Sequence, residues 1–448
     1  MSHTERIVVK EISEAAKQLF SKVTTVVMHQ APHLDEILAF YLIQKYGGIN
    51  PCPRFVKADI IGTEADHDRN GILPIGCGEN CRFNEHRKDI ERLPGECATT
   101  LVAKFMGINE EPELKRLIAE VLACDTKSGC SPTQLAEMVK VANRQLKTSP
   151  FNVLKWTLGA FQAIIADEQY HYTGLPGEKT LPVILKQFDT EGDYFGEDKR
   201  VRDHMFRLAE DSERNSNNRV TELASIVRAM YRLPREEKHI LEWVETPLLQ
   251  MRDDQLEFQK TVDAFRKQKM IEVEVQGSRG SGYINCLVVH SDSLHAARAA
   301  RFIGAKVVVV RNSAGNVMVS VDTKLEWLNL SNMTRMIRWL ELPTDGKDVE
   351  WKSLGVPATH DLVPNWYYFK KAEQLFNGSQ THQMPASKIS TQALIEVLKC
   401  SFHHELVQYW CKARHINWQP IPKNIKPLEK ALAASELAEK AETATVAA

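Results

Sequence analysis

Residues 26–36 read VVMHQAPHLDE, an apolar run that passes into a loop rich in histidine and acid. Residues 23–29 are short, apolar and β-branched, which predicts a buried strand. After Pro32, residues 35–46 show the apolar spacing of a helix that Gly47 ends. A strand that leads through a loop into a helix is the building unit of an α/β fold.

The same alternation continues on both sides of that stretch. Further strands are predicted at residues 55–62 and 72–76, and further helices at 11–20, 95–106 and 111–123. Residues 1–130 are therefore expected to form a mainly parallel sheet domain, and residues 131–269 a helical connector. A smaller α/β domain is expected at residues 270–425, with strands near 271–275, 283–290, 306–311 and 316–322, and helices at 294–303 and 391–410. Residues 426–448, rich in Ala, Glu and Lys, are expected to be a frayed helix or disordered, and no internal repeat is apparent.

Composition narrows the class of protein. The 448 residues allow two or three domains, and 57 basic against 58 acidic residues leave a net charge of -1. A chain with almost no net charge has no overall electrostatic attraction to nucleic acid. The N-terminal segment is polar and no long apolar run occurs, so neither a signal peptide nor a membrane span is expected. Nine cysteines without a secretory signal predict reduced thiols in a cytoplasmic protein.

Chemistry-bearing side chains follow the first predicted strand. His29, His33 and Asp35 stand at the strand end and in the loop after it, where ligands bind in open α/β sheets. Imidazole and carboxylate groups together suit Mn, Fe, Zn or Co. The plainer interpretation is that Asp35 caps the helix and the two histidines are exposed loop residues.

Three more polar clusters occur further along the domain. They are Asp66-His67-Asp68, Glu85-His86 and Asp125. If they reach the same rim of the sheet, they supply the ligands and open positions that a one- or two-metal hydrolytic site needs. For residues 66–68 a solvated turn is the simpler alternative.

The pattern His29-x-x-x-His33-x-Asp35-Glu36 resembles the opening motif of the Myg family, named for the melanocyte proliferating gene product. It is more distantly similar to the opening of family II inorganic pyrophosphatases, and both groups belong to the DHH phosphoesterase superfamily. Residues 83–87, FNEHR, stand where that superfamily has its Asp-His-His signature, residues 96–102 resemble the following helix, and Asp125 the last metal-binding Asp. The resemblance covers residues 23–130 and, more loosely, 270–385.

The resemblance implies a set of roles. Metal ligands would be His29, His33, Asp35, Glu85 and Asp125, with Mn²⁺ first and Fe, Co or Zn as alternatives. His86 and Arg87 would stabilise charge on phosphoryl oxygens. In the second α/β domain, the resemblance implies that His382 binds substrate, and independently the Gly-rich turn at residues 277–282 could bring Arg279 to a phosphate. Plain turns are the alternative for both, and the substrate would lie in a cleft between the two α/β domains.

Two departures from the superfamily pattern bear on catalysis. Pro74 stands where the superfamily has a carboxylate that bridges two metals, and Asn84 replaces the first Asp of the signature. Three alternatives remain: one metal is bound, a neighbour such as Glu79 or Asp68 substitutes, or catalysis is lost.

Two other groups have competing interpretations. Cys77, Cys81 and His86 are close enough in sequence for zinc, but they lack a fourth ligand, which favours ordinary loop thiols. The aromatic run at residues 366–369 could stack nucleic-acid bases, but core plus rim is the commoner arrangement.

These features predict a metal-dependent phosphohydrolase that acts on a nucleotide, a short oligonucleotide or a related phosphoester. The alternative is a catalytically degenerate relative that binds a nucleotide or a protein partner. No membrane partner is expected, and the helical middle is either a homodimer interface or a spacer.

Overall fold

The computed structural model describes residues 11–57, 60–78, 80–86, 93–126, 129–145, 148–170, 178–190, 194–196, 198–277, 280–343, 349–378 and 384–416. The helices are α1 Glu14–Phe20, α2 Leu34–Tyr46, α3 Glu64–Arg69, α4 Ala98–Met106, α5 Pro112–Thr126, α6 Leu135–Arg144, α7 Pro150–Tyr170, α8 Leu181–Phe188, α9 Lys199–Asn215, α10 Leu223–Arg232, α11 Glu237–Phe265, α12 Ala296–Phe302, α13 Ser331–Glu341, α14 Thr391–Cys400 and α15 His404–Ala413. The strands are β1 Thr25–His29, β2 Cys52–Val56, β3 Ile72–Pro74, β4 Ile271–Gly277, β5 Gly280–His290, β6 Val307–Arg311, β7 Val317–Val321, β8 Ala358–His360, β9 Val363–Phe369 and β10 Gln374–Phe376.

The chain divides into two units, residues 1–259 and 260–448. The boundary falls within the long helix α11. The mixed α/β class expected from the sequence is confirmed: a parallel sheet comes first, helices follow, and a second sheet lies in the later part of the chain. The domain boundaries predicted at residues 130, 269 and 425 stay predictions, and the predicted tail lies outside the described residues.

The first sheet has three parallel strands in the order β2-β1-β3. The central strand β1 has its three middle residues fully buried, which matches its continuous apolar sequence. Val27 of β1 lies opposite Pro74 of β3, and His29 opposite Val56 of β2. The carboxyl ends of the three strands therefore meet at one edge of the sheet.

Helix α2 is buried along ten consecutive residues from Leu34 to Ile43. A helix that is apolar on all faces must be covered on all faces. It packs against α4, α5, α6 and α7, and its apolar side chains belong to the same hydrophobic core as those of the first sheet. The first turn of α2 is therefore packed among its neighbours at the edge where β1 ends.

The helical segment shares one hydrophobic core with the first sheet. That core extends from Ile12 to Met251 and includes Phe161 on α7 and Ile226 on α10. The segment is thus part of the first compact unit rather than a separate core of its own.

The helical segment contains a repeated helix pair, although no internal repeat was expected. Residues 133–136, TQLA, span the start of α6, the first helix of the pair α6–α7, and residues 221–224, TELA, span the start of α10, the first helix of the pair α10–α11. The two stretches exchange backbone hydrogen bonds. The Leu135 N–H donates to the Thr221 carbonyl at 2.9 Å, and the Leu223 N–H donates to the Thr133 carbonyl at 2.9 Å.

A second pair of reciprocal contacts joins the second helices of the two pairs, α7 and α11. Trp156 and Trp243 stack with centroids 4.9 Å apart, and each indole N–H donates to the other residue's carbonyl, at 3.2 and 3.0 Å. The two helix pairs are therefore related by an approximate two-fold axis.

The second unit is built on a seven-stranded sheet in the order β4-β5-β6-β7-β10-β9-β8. Among its described strand pairs only β5–β6 is parallel, and helix α12 connects these two strands. Along β9, Trp366 and Tyr368 are buried while Tyr367 and Phe369 are exposed. Alternate side chains of the aromatic run therefore lie in the core and at the surface.

Three predicted elements differ from the structure. The strand expected at residues 55–62 is β2, Cys52–Val56, and the expected turn at residues 66–68 lies inside helix α3. The helix expected at 391–410 is two helices, α14 and α15, separated at residues 401–403. Among the helices of the described part of the chain, none is long and apolar enough to cross a bilayer.

Candidate metal centre

Three sequence-predicted ligands converge at the carboxyl edge of the first sheet. One ligand atom from each of His33, Asp35 and Asp125 lies within 4.8 Å of the other two. Within the described residues this is the group of three or more His, Cys, Asp or Glu side chains arranged to hold a metal ion. It joins the loop after β1, the first turn of α2 and the last turn of α5.

Asp35 is placed by backbone contacts with α4. Its side chain is only 3% exposed, and Oδ2 accepts a hydrogen bond from the Ala98 N–H at 3.2 Å. The Thr99 hydroxyl donates to the Asp35 carbonyl at 2.6 Å. One bond therefore holds the Asp35 carboxylate, and the other holds the Asp35 backbone. Asp35 does not cap α2, because the N-cap of that helix is His33.

Asp125 reaches the cluster from the opposite end of a helix. It is the second-last residue of α5, where the helix dipole disfavours a negative charge. A carboxylate there does not stabilise the helix, so its position favours a role in the cluster.

The electrostatics of Asp35 show an excess of negative charge. Burial raises its pKa well above the ordinary value for Asp, and the charges of Asp125, Glu36 and Glu85 raise it further, while the Ala98 N–H opposes them. Burial also raises the pKa of the neighbouring Cys97 thiol to about 12, with a contribution from Asp35. A bound cation would remove this repulsion, so the donor set fits a divalent metal.

His29 lies beside this cluster rather than within its three-residue core. Its Nδ1 is 2.5 Å from Oε1 of Glu36, and its side chain is 39% exposed. Glu36 was not among the predicted site residues. The signal that could have found it was its place in the His-x-x-x-His-x-Asp-Glu pattern, one residue after a predicted ligand.

Glu85 and His86 flank the same region. Glu85 is buried and close enough to Asp35 to raise the pKa of its carboxyl group. His86 is largely exposed, with Nε2 3.3 Å from Oε1 of Glu85. Asn84 shapes the loop: its amide donates to the Gly78 carbonyl at 2.9 Å, and its oxygen accepts from the His86 N–H at 2.9 Å.

The end of β3 supplies no carboxylate. Pro74 closes the strand, and residues 75–78 read IGCG. Asp68, one expected substitute, forms an ion pair with Arg82 at 2.6 Å, and Glu64 contacts the same guanidinium. Glu79, the other expected substitute, lies outside the described residues.

Asp66 and His67 have structural positions. Asp66 completes the capping box of α3 with Thr63, which is a capping role rather than that of a solvated turn. His67 is buried against Gly62.

Several other predicted residues are placed elsewhere or are not described. Cys77 and Cys81 are buried, and they do not form a three-ligand group with His86 in the described part of the chain. Arg87, Arg279 and His382 lie outside the described residues.

The expectation that all thiols are reduced is wrong for one pair. A disulfide joins Cys124 to Cys130, with Cα atoms 5.7 Å apart. The bond closes a short loop that begins next to Asp125. Sequence composition missed it because pairing depends on how close the two cysteines lie in the fold.

Comparisons with known proteins leave the family open. No family model matches this chain, and no curated protein matches it. One similar solved structure is RecJ in complex with Mg²⁺ from Thermus thermophilus, at 10% identity and a TM-score of 0.32, covering 93% of this chain and 55% of RecJ. Another is an uncharacterized protein from Helicobacter pylori, at 12% identity and a TM-score of 0.18, covering 70% of this chain and 89% of that one. This chain thus spans about half of the RecJ structure, and at these TM-scores neither likeness bears on function.

Proposed function

We propose that this protein is a metal-dependent phosphohydrolase that acts on a nucleotide, a short oligonucleotide or a related phosphoester. The observation that carries the proposal is the convergence of His33, Asp35 and Asp125, whose ligand atoms lie within 4.8 Å of one another. The resemblance of residues 29–36 to the Myg family and the DHH superfamily supports the reaction class.

The metal proposed is a divalent cation, with Mn²⁺ first and Fe, Co or Zn as alternatives. Mixed imidazole and carboxylate donors suit these ions. His33, Asp35 and Asp125 would hold the ion, and His29 and Glu85 would be further ligands. The ion would supply a bound water whose pKa is lowered towards neutrality.

The residues around the cluster have separable tasks. Asp35 and Asp125 supply negative charge that a bound cation would balance. His86, exposed and oriented by Glu85, is positioned to donate a hydrogen bond to a phosphoryl oxygen. Because the chain is nearly neutral overall, recognition of a short substrate at this site is favoured over a continuous grip on a long strand.

A binding role without catalysis is the second candidate function. Pro74 ends β3 without a carboxylate, and Asn84 is used to shape its loop. A site with these two departures could retain one metal or a ligand without turning over.

The test is the metal content of purified protein by mass spectrometry, for wild type and for His33→Ala with Asp35→Ala. We expect about one or two equivalents of Mn, Fe or Zn in the wild type, as one- and two-metal hydrolytic sites hold, and loss of the metal in the double variant. The matched control is His360→Ala with Asp361→Ala, a His-Asp pair in the second unit, which should keep the metal. A wild type that stays metal-free after reconstitution would refute hydrolysis; a metal-loaded protein that cleaves no phosphoester in a screen would favour the binding role.

A further inference from the structure

Glu36 is a buried acid whose carboxylate contacts both predicted histidine ligands, His29 and His33. Its side chain is 4% exposed, and Oε1 lies 2.5 Å from Nδ1 of His29. Its other oxygen, Oε2, accepts a hydrogen bond from the His33 N–H at 3.1 Å. One carboxylate therefore joins two of the histidines in the predicted ligand set.

Gly76 makes the room for that carboxylate. A Cβ atom built on Gly76 would lie 2.4 Å from Oε1 of Glu36, 2.7 Å from its Cγ and 2.9 Å from its Cδ. A side chain at position 76 would therefore force the Glu36 side chain to move. The backbone φ of Gly76 is +64°, which also favours glycine.

We propose that Glu36, seated in the space left by Gly76, is a positioning residue that fixes His29 for metal ligation. This inference rests on the proposed function. Where β3 offers Pro74 and no acid, helix α2 brings a carboxylate to the same edge of the sheet. Glu36 thus supplies, from another element, negative charge next to the cluster.

The chemistry follows from the tautomer of the imidazole. When Nδ1–H donates to a carboxylate, the lone pair is left on Nε2, which is the form that ligates a metal. A carboxylate behind a ligating histidine also orients the ring and raises its basicity. The same carboxylate accepts from the His33 N–H, so it keeps the loop from His29 to His33 in one arrangement.

The test separates charge from helix capping. Glu36→Gln keeps the size of the side chain and the capping interaction with His33, because glutamine serves at this capping position as well as glutamate does. Gly76→Ala displaces Glu36 sterically. Gly48→Ala is the matched control, since Gly48 has nearly the same φ of +67° with nothing within 4 Å of its built Cβ.

Binding of Mn²⁺ alone is measured by calorimetry, and Co²⁺ alone by its visible absorption spectrum, which reports the ligand field. We expect Glu36→Gln to weaken Mn²⁺ binding by about 10- to 100-fold and to shift the Co²⁺ bands. Gly76→Ala should act in the same direction. The double variant should lose much less Mn²⁺ affinity than the product of the two single fold-losses, because both substitutions act through one carboxylate. Gly48→Ala should match the wild type.

Different failures refute different statements. If the wild type binds both ions and Glu36→Gln leaves affinity and Co²⁺ spectrum unchanged, the inference is wrong while the proposed function stands. If the double variant loses Mn²⁺ affinity by the full product of the two single fold-losses, Gly76 does not act through Glu36. The statement that Gly76 makes room for Glu36 to position His29 is then wrong. If the wild type binds neither ion, both the inference and the proposed function fall. Should Gly76→Ala not fold, Glu36→Gln decides alone.

Discussion

At the scale of single residues, Asp35 is placed where it destabilises the metal-free protein. It is buried, and the acids Asp125, Glu36 and Glu85 repel its negative charge. Residues that conflict with the stability of the fold in this way tend to be kept for function. The burial of Asp35 therefore argues for a ligand more strongly than its sequence motif does.

We predict that Asp35→Asn stabilises the metal-free protein at neutral pH, by on the order of 1–3 kcal/mol, and abolishes metal binding. The pKa of Asp35 is higher in the folded than in the unfolded state, so the folded state binds more protons. Its contribution to stability is complete below the ordinary pKa of Asp and is lost as pH rises through the raised value. Asparagine avoids that loss and still accepts from the Ala98 N–H.

Urea unfolding of metal-free wild type and Asp35→Asn, measured across acid to neutral pH, checks this. The two should agree at the acid end and diverge as the pH rises. A variant that is less stable than the wild type at neutral pH would show that the charge of Asp35 is already compensated.

At the scale of elements, helix termini build the candidate site. The first turn of α2 presents Asp35 and Glu36, the start of α4 presents the Ala98 N–H, and the last turn of α5 presents Asp125. Helix termini carry unsatisfied backbone groups and fixed partial charges, so their relative placement sets the electrostatics of the site. The Cys124–Cys130 disulfide holds one of these termini.

We predict that reducing this disulfide, or replacing Cys130 with Ser, weakens Mn²⁺ binding. The loop that the bond closes is short, so its loss should also cost roughly 2 kcal/mol of stability in the chain-entropy account. Asp125 is next to the bonded Cys124, and its carboxylate then has more conformations to lose on binding. The control is Cys52→Ser, which removes an exposed free thiol.

Calorimetry with Mn²⁺ in the presence and absence of a dithiol reductant measures the effect. The reductant should change the wild type and Cys52→Ser alike, and should leave Cys130→Ser unchanged. Equal affinities for oxidised and reduced wild type would mean that packing of α5 alone places Asp125.

At the scale of the whole molecule, the chain has two units with separate hydrophobic cores. All three clustered ligands, His33, Asp35 and Asp125, belong to the first unit. A ligand that binds only the folded state stabilises the unit that holds it, and at a hundredfold excess over Kd the gain is about 2.7 kcal/mol.

We predict that Mn²⁺ slows amide hydrogen exchange in the first unit and leaves the second unchanged. Protection should rise in peptides that contain residues 25–36 and 112–126, because opening of these segments releases the metal. Peptides from residues 307–321 serve as the internal control. Exchange by mass spectrometry with and without the metal provides the measurement, and equal protection in both units would contradict a site confined to the first.

The sequence by itself determined the elements whose signals are local. Strand β1 and helix α2 were predicted nearly to their ends, because an apolar β-branched run and a helix stop at Gly47 depend on near neighbours. It also singled out His33 and Asp35, since a loop after a strand collects polar side chains at one edge of a parallel sheet. Asp125, which ends a helix, was singled out by the resemblance to the DHH superfamily.

Tertiary structure decided what depends on contacts between distant segments. The room that Gly76 leaves for Glu36 and the reciprocal bonds between the two helix pairs each require backbone from separate elements to meet. Local patterns carry no information on such distances, because the same short motif can fold beside many partners. The break between α14 and α15 has the same origin: burial of both helices in the second core outweighs the helical pattern that continues through residues 401–403.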